Sequence, residues 1–438
     1  MISVRQAREI ILKNIFPVKE NELIKIESAL GRVCVSDLKS KENIPPFNNS
    51  AMDGFAARAE DVKGSRGENP KILEVVGSLA AGYTTSQIIR PGEAIRIMTG
   101  APLPKGADSV VMVEDTKTVH SSQFTVHSKK KELVKILKAV KKGENVRYAG
   151  EDVEKGEVVI KKGSILKSGH IGMLASLGFG RVKVFRKPKV AILATGDELV
   201  QIKQKLTPGK IRNSNSYSLY AQVLKAGALP ILLGIARDNK KAIEDKIRQG
   251  LSADVLIVCG GVSVGDYDFV RDVLKDVGTE MKFWRVAMKP GKPLVFGLMR
   301  KVPVFGLPGN PVSGMVSFEQ FVRPALLKMS GAGDIFRFRL PATAGDDFEK
   351  KKGLRYFLRV VLKNKEGRLY AFLTGPQGSG ILKSMVLANG IMELPEDMEV
   401  IRAGETAEVT YGVDMIIELG LFVSRSGAIY RAFEEIFS

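Results

Sequence analysis

Between residues 188 and 329 the chain alternates short apolar runs with amphipathic helical patterns, and that alternation leaves few folds open. Residues 190–194 and 255–258, rich in Val, Ile and Leu, read as buried strands; 217–226 and 240–251 carry helical spacing; 229–235 is apolar again. Residues 269–277, 302–307 and 312–327 repeat the pattern as helix, strand and helix. Apolar strands alternating with helices are buried on both faces, which predicts a doubly wound α/β domain around a largely parallel sheet. Ligands of such sheets sit in loops at the carboxyl ends of the strands.

The rest of the chain has a different texture. Ser3 with Gln6 forms a capping-box pattern opening a helix whose apolar stripe is Ala7, Ile10, Ile11 and Ile15. After the turn-rich Ile44-Pro45-Pro46-Phe47, residues 52–148 favour short strands at 71–76, 94–98, 109–113 and 124–127, so a mostly β domain is expected. Beyond the α/β region, residues 336–411 return to short strands such as 357–362 and 369–373, which predicts a small C-terminal β domain. No internal repeat at a solenoid period is present. A length of 438 residues suits two to four domains at roughly 100–200 residues each.

Composition removes several classes of function. Two cysteines, Cys34 and Cys259, and three histidines cannot build a disulfide framework or an ordinary Cys/His zinc site. His120, His127 and His170 read as surface or packing residues, and Cys259, at a strand end, as a small core hydrophobe. The strongest apolar run, 415–423, is interrupted by Glu418, so no membrane span is expected. The N-terminal helix carries Arg5, Arg8, Glu9 and Lys13, unlike a secretory segment, and a cytoplasmic protein is expected. The formal charge of +19 admits nucleic acid, an anionic surface or a small polyanion, and charge alone does not choose among them. The clusters Lys129-Lys130-Lys131 and Lys141-Lys142 read as solvated faces.

Three loops of the α/β region follow strands and carry chemistry-bearing residues: Thr195-Gly196-Asp197-Glu198, then Gly260-Gly261-Val262-Ser263-Val264-Gly265-Asp266-Tyr267-Asp268, then Pro308-Gly309-Asn310-Pro311-Val312-Ser313. At one end of a parallel sheet they would converge on a common crevice. Gly260, Gly261 and Gly265 let backbone N–H groups approach an anion. Asn310 as N-cap with Pro311 at the first helical position would leave free N–H groups at a helix start. In Met288-Lys289-Pro290-Gly291-Lys292-Pro293 the prolines oppose a helix, so two ammonium groups are displayed on a constrained turn suited to an anion. Asp53, Asp152, Glu198, Asp238, Asp266 and Asp268 lie in turn-like sequence, as hard-cation ligands often do. Any metal is then oxygen-bound and magnesium-like, and zinc would have to be held by carboxylates.

Taken together, 45–56, Met98-Thr99-Gly100-Ala101-Pro102, Gly143-Glu144-Asn145-Val146-Arg147 with Gly150-Glu151-Asp152, 195–199, 260–268, 288–293 and 306–313 resemble the molybdopterin molybdenumtransferase family, the MoeA family that includes the E domain of gephyrin. The seven motifs occur in the family's order from about Ser3 to Gly412. The resemblance implies an elongated domain from 1–45 plus 147–187, an inserted β domain at 46–146, an α/β molybdopterin-binding domain of the MoaB/Mog type at 188–329 and a C-terminal small β-barrel at 330–412, with 413–438 unassigned.

The resemblance also implies an activity: insertion of molybdate or tungstate into adenylylated molybdopterin, with divalent-cation-dependent hydrolysis and release of AMP. Asp53, Thr99, Asp152, Glu198, Asp238 and Asp268 match the family's catalytic residues, with Asp53, Glu198 and Asp268 as ligands of a magnesium-like ion. Arg147, Thr195, Gly196, Asp197, Gly260, Gly261, Ser263, Gly265, Lys289, Lys292, Pro308, Gly309, Asn310 and Ser313, with Arg359 and Ser379 from the C-terminal domain, match substrate-, phosphate- or oxyanion-binding positions. Asn48 and Phe55 stand where Asp and Tyr are frequent. The implied partners are a second copy of the chain, the upstream adenylyltransferase and the apoenzymes that accept the cofactor, with no nucleic acid and no membrane. The adenylyltransferase itself is disfavoured by the GGVSVGDYD loop and the additional domains, a receptor scaffold by the lack of a fused second module, and a nucleic-acid binder by the lack of interleaved aromatics.

Overall fold

The structure, a computed structural model, describes residues 1–120, 132–262 and 269–411; the strand expected at 124–127 lies outside them. They form two compact units, one from Met1–Ser36, Lys162–Ile171 and the described part of Gly180–Ser438, the other from the described part of Asp37–Lys161 with Gly172–Phe179.

In the first unit six strands form a sheet in the order Leu229–Ala236, Lys189–Thr195, Val255–Cys259, Val302–Leu307, Pro293–Met299, Glu280–Arg285. The first four are parallel, as the apolar runs predict. The last two are antiparallel additions that the sequence pattern concealed. The hairpin joining Pro293–Met299 to Val302–Leu307 turns on Arg300 and Lys301 at φ 49° and 71°, the left-handed geometry usually given to Asn-Gly, so no turn signature marks it. On one sheet face, Val190, Ile192, Val255, Ile257, Phe296 and Phe305 join a core shared with the helices Asn215–Lys225 and Arg323–Met329. On the other, Ala191, Leu193, Leu256, Val258, Val295 and Val304 meet the helices Lys240–Gly250 and Phe269–Asp276. Cover on both faces makes the sheet doubly wound.

The N-terminal helix Val4–Lys13 has the expected capping box: Gln6 N–H donates to Ser3 Oγ at 3.1 Å and Ser3 N–H to Gln6 Oε1 at 2.9 Å. Its buried stripe is Val4, Ala7 and Ile11, continued by Ile15, with Ile10 at the margin. These residues join the α/β core of the same chain. The helix expected at 312–327 is interrupted: Pro311–Ser317 and Arg323–Met329 flank a π turn at Phe318–Val322. Pro324 supplies the reason, since it has no N–H for the carbonyl of Gln320 and its ring crowds that carbonyl.

The C-terminal strands close on themselves. Arg355–Lys365 pairs with both Arg368–Leu373 and Gly390–Leu394, while Arg339–Ala344 and Thr406–Tyr411 complete a five-stranded barrel. Leu358, Val360, Met392 and Val409 fill it. The second unit carries a six-stranded sheet, Ser109–Met112, Gly54–Ala57, Glu93–Ile97, Lys71–Leu79, Glu132–Ile136, Thr116–His120, in agreement with the β-rich pattern. In the same unit Leu38–Lys39 pairs with Val158–Ile160 and Ile44 bridges Val153.

Phe296 sits between Phe283 and Phe305, with ring centroids 5.8 Å and 5.0 Å away, and is fully buried. Phe296→Ala is expected to destabilise the α/β domain by about 3–5 kcal/mol, measured by urea unfolding; a loss below about 1 kcal/mol would show that this is not the core's centre.

Candidate active site

The loops after Lys189–Thr195, Val255–Cys259 and Val302–Leu307 do meet. Gly260 N–H donates to the Leu307 carbonyl at 3.0 Å. A Cβ on Gly260, whose φ is 101°, would stand 2.5 Å from the Thr195 carbonyl oxygen, and one on Gly309 would stand 3.7 Å from the Gly260 Cα. At 260 only glycine allows this approach, whereas the Gly309 contact is ordinary. Thr195 is buried at the strand end, and its hydroxyl has no hydrogen-bond partner among the described residues. A buried hydroxyl left unpaired is costly, so Thr195 is a donor held ready at the crevice floor.

Around that floor the acidic residues divide by role. Asp197 and Asp238 bind each other's backbone, Asp197 N–H to Asp238 Oδ2 at 3.0 Å and Asp238 N–H to Asp197 Oδ1 at 3.3 Å, which ties two strand-end loops together. Glu198 is exposed, and its carboxylate overhangs Gly196, where a Cβ would come within 2.3 Å of Oε2. Among the described residues that carboxylate accepts no hydrogen bond, so its oxygens are available to a hard cation. Ser263, Gly265 and Asp268 lie outside the described residues. Among those described, no group of three or more His, Cys, Asp or Glu is placed to hold a metal ion.

The third loop behaves differently from expectation. Asn310 occupies the cap position, at φ −64° and ψ 127°, but its side chain makes no capping bond. Its amide donates instead to Ser379 Oγ at 3.1 Å, and Val312 N–H donates to the Ser379 carbonyl at 3.1 Å. One N–H expected to be free for an anion is therefore already used, because a loop of the barrel supplies the acceptor. Ser313 is buried one turn in. Pro308 contributes its carbonyl to the Cys259 thiol, 3.4 Å away, and burial pushes that thiol up to about 12, which keeps it a neutral packing group.

Arg359, on the barrel strand Arg355–Lys365, is fully buried and has no carboxylate partner among the described residues. Its guanidinium donates to Ser384 Oγ, the Phe357 carbonyl and the Gly378 carbonyl at 3.2–3.3 Å, and burial lowers its pKa to about 10. A buried cation without a counter-charge favours any anion that can reach it. The lysine turn adjoins the same strand: Met288–Lys289 pairs in parallel with Arg355 and Tyr356, and Lys289 Nζ lies 5.3 Å from the Tyr356 ring centroid. Lys289 and Lys292 are both exposed, flanking a cis Lys289–Pro290 bond and Gly291 at φ 106°. Sequence reasoning missed Asn215, which donates to the Gly309 carbonyl at 2.6 Å and to Cys259 Sγ at 3.4 Å, and Gln377, whose side chain pairs with the Arg359 backbone. The run Asn213-Ser214-Asn215-Ser216 carries the available signal, four small polar residues where one cap would suffice.

The second unit gathers its own motifs. Asp53 Oδ1 accepts the Thr99 N–H at 2.7 Å and the Thr99 hydroxyl at 2.6 Å, and these bonds hold its carboxyl below the usual carboxylate range. Asn48 Oδ1, in the position where Asp is frequent, accepts the Ala149 N–H at 2.9 Å, and Asn49 pairs with Arg147. Asp152 N–H donates to the Ile44 carbonyl, and the side chains of Arg147 and Asp152 are exposed. Motifs 46 to 101 residues apart in sequence, around 48–53, 99 and 147–152, are thus one cluster.

Three family models match along the chain: the MoeA N-terminal region (domains I and II) at residues 2–178, a probable molybdopterin binding domain at 191–328, and the MoeA C-terminal region (domain IV) at 341–411. A molybdopterin molybdenumtransferase of Nostoc sp. is 40% identical over 416 residues, covering 92% of each chain. One of Bacillus subtilis is 35% identical over 391 residues, covering 89% of each. Among solved structures, a molybdopterin biosynthesis MoeA protein from Pyrococcus horikoshii superposes with a TM-score of 0.80 at 33% identity, covering 94% of this chain and 100% of that one. The chain belongs to the MoeA family of molybdopterin molybdenumtransferases, enzymes of molybdenum cofactor biosynthesis.

Proposed function

We propose that this enzyme inserts molybdate or tungstate into adenylylated molybdopterin, coupled to divalent-cation-dependent hydrolysis of the phosphoanhydride and release of AMP. The observation that carries the reading is the buried, carboxylate-free Arg359 beside the Ser379 loop that binds Asn310, on the strand that also holds the lysine turn. Arg359, Lys289, Lys292 and Ser379 then receive the tetrahedral oxyanion. Thr195, Gly260 and Gly261, with Ser263, Gly265 and the 308–313 loop, receive the phosphates. The exposed Glu198 carboxylate suits a magnesium-like ion, which commonly binds through one or two carboxylates and substrate phosphates; Asp53 and Asp268 are assigned the same role from the family resemblance, and zinc would be held by the same oxygens. A cation held there would offset negative charge on the substrate phosphates. Asp53, Thr99, Arg147 and Asp152 are assigned to the site as completed in a homodimer. The adenylyltransferase upstream and cofactor-accepting apoenzymes are the proposed physical partners, and the cytoplasm the proposed compartment. Among the described residues no helix is long and apolar enough to cross a membrane.

Purified protein given adenylylated molybdopterin, molybdate and Mg2+ is expected to release AMP only when both ions are present; full-rate release without the oxyanion would overturn coupled insertion. Lys292→Ala is expected to raise the molybdate requirement about tenfold or more while leaving pterin affinity nearly intact. Glu198→Gln should retain binding and lose about a hundredfold or more in turnover. Equal loss of pterin binding in both variants would refute these roles. Thr99→Val removes the hydroxyl donor, so the Asp53 carboxyl should titrate at higher pH by carbon-detected NMR; an unchanged titration would mean that Thr99 does not tune it.

A further inference from the structure

A second concentration of positive charge lies in the first unit and shares no residue with the set assigned above. Arg8 on the N-terminal helix, Arg323 beyond the π turn, Arg337 and Phe336 in the following segment, and Arg339 and Thr410 on two barrel strands line one cleft. Its internal charges do not balance. Glu319 binds Arg337 through both carboxylate oxygens and lies 3.6 Å from Arg323. Glu393 is shared by Arg339 and Arg355, and Glu396 binds Arg355. Five guanidinium groups thus face three carboxylates, an excess of two positive charges.

Arg8 is the uncompensated member. Among the described residues it has no carboxylate partner; its guanidinium donates to Gln320 Oε1 and lies over the Phe336 ring, 5.5 Å from the centroid. Its Nε is buried and has no hydrogen-bond partner among the described residues. Burial lowers the pKa of Arg8, and burial together with the Arg337 charge lowers that of Arg323. Guanidinium groups remain charged under all ordinary conditions, so the crowding is relieved by an anion rather than by proton loss. The π turn that Pro324 imposes places Glu319 and Gln320 on this cleft, so the local helix defect builds its wall.

We propose that this cleft binds a small tetrahedral dianion of the phosphate or sulfate type. Two charges match the excess, and planar forks of N–H donors suit oxyanion oxygens. The test is equilibrium dialysis of labelled sulfate and of labelled phosphate against the full chain, at constant ionic strength set with NaCl. One saturable site per chain is expected to persist in Lys292→Ala and to weaken about tenfold or more in Arg8→Gln. Thr410→Glu places a carboxylate at the rim without removing an arginine, and the same loss is expected; it keeps the test decisive if Arg8→Gln fails to fold. Phosphate affinity should rise as the ion loses its second proton while sulfate affinity stays flat. Binding insensitive to both cleft substitutions, or abolished by Lys292→Ala alone, would overturn the proposal.

Discussion

Parallel strands must be covered on both faces, and that requirement organises the first unit. The strands Lys189–Thr195, Val255–Cys259 and Val302–Leu307 are buried almost throughout because helices pack on either side. Helical cover forces each connection to cross over the sheet and start from the same edge. The loops therefore share one edge, and Gly260 lets them approach until only a hydrogen atom separates its Cα from the Thr195 carbonyl. A methyl group there would push two loops apart.

The barrel closes this arrangement from the other side. Ser379 supplies the acceptor for Val312 N–H that a conventional cap would have supplied, so the α/β helix start and the barrel loop are ordered together. Arg359 is buried by the same packing, and desolvation leaves its charge seeking an anion. The lysine turn completes the set through backbone pairing with the Arg359 strand. Charge at this edge thus comes from packing as much as from composition: Arg359 is held where solvent cannot screen it fully, while Lys289 and Lys292 stay exposed on the turn beside it.

Two parts of the chain departed from their patterns for local reasons. The hairpin joining Pro293–Met299 to Val302–Leu307 uses two basic residues in left-handed geometry, and the helix from Pro311 accommodates Pro324 by widening into a π turn. Both departures have consequences: the first extends the sheet with antiparallel strands, and the second faces the arginine-lined cleft.

Periodicity alone determined the four parallel strands, their alternation with helices along the chain and the cover of the sheet on both faces, since burial on both faces leaves a direct mark on composition. The capping box of Ser3 and Gln6, the constrained turn at Lys289–Lys292 and the glycine pair Gly260-Gly261 were legible because each depends on residues adjacent in sequence. Tertiary structure alone decided which polar groups keep free capacity. Asn310 reads as a cap but serves Ser379; Asp238 reads as a cation ligand and Asp197 as a substrate-loop residue, yet each spends an oxygen on the other's backbone; Asn215 sits in a run of small polar residues that does not point to its bond with Gly309. Hydrogen-bond partners 41 to 94 residues apart leave no mark in a one-dimensional pattern, because the bond depends on position after folding and not on the identity of neighbours along the chain.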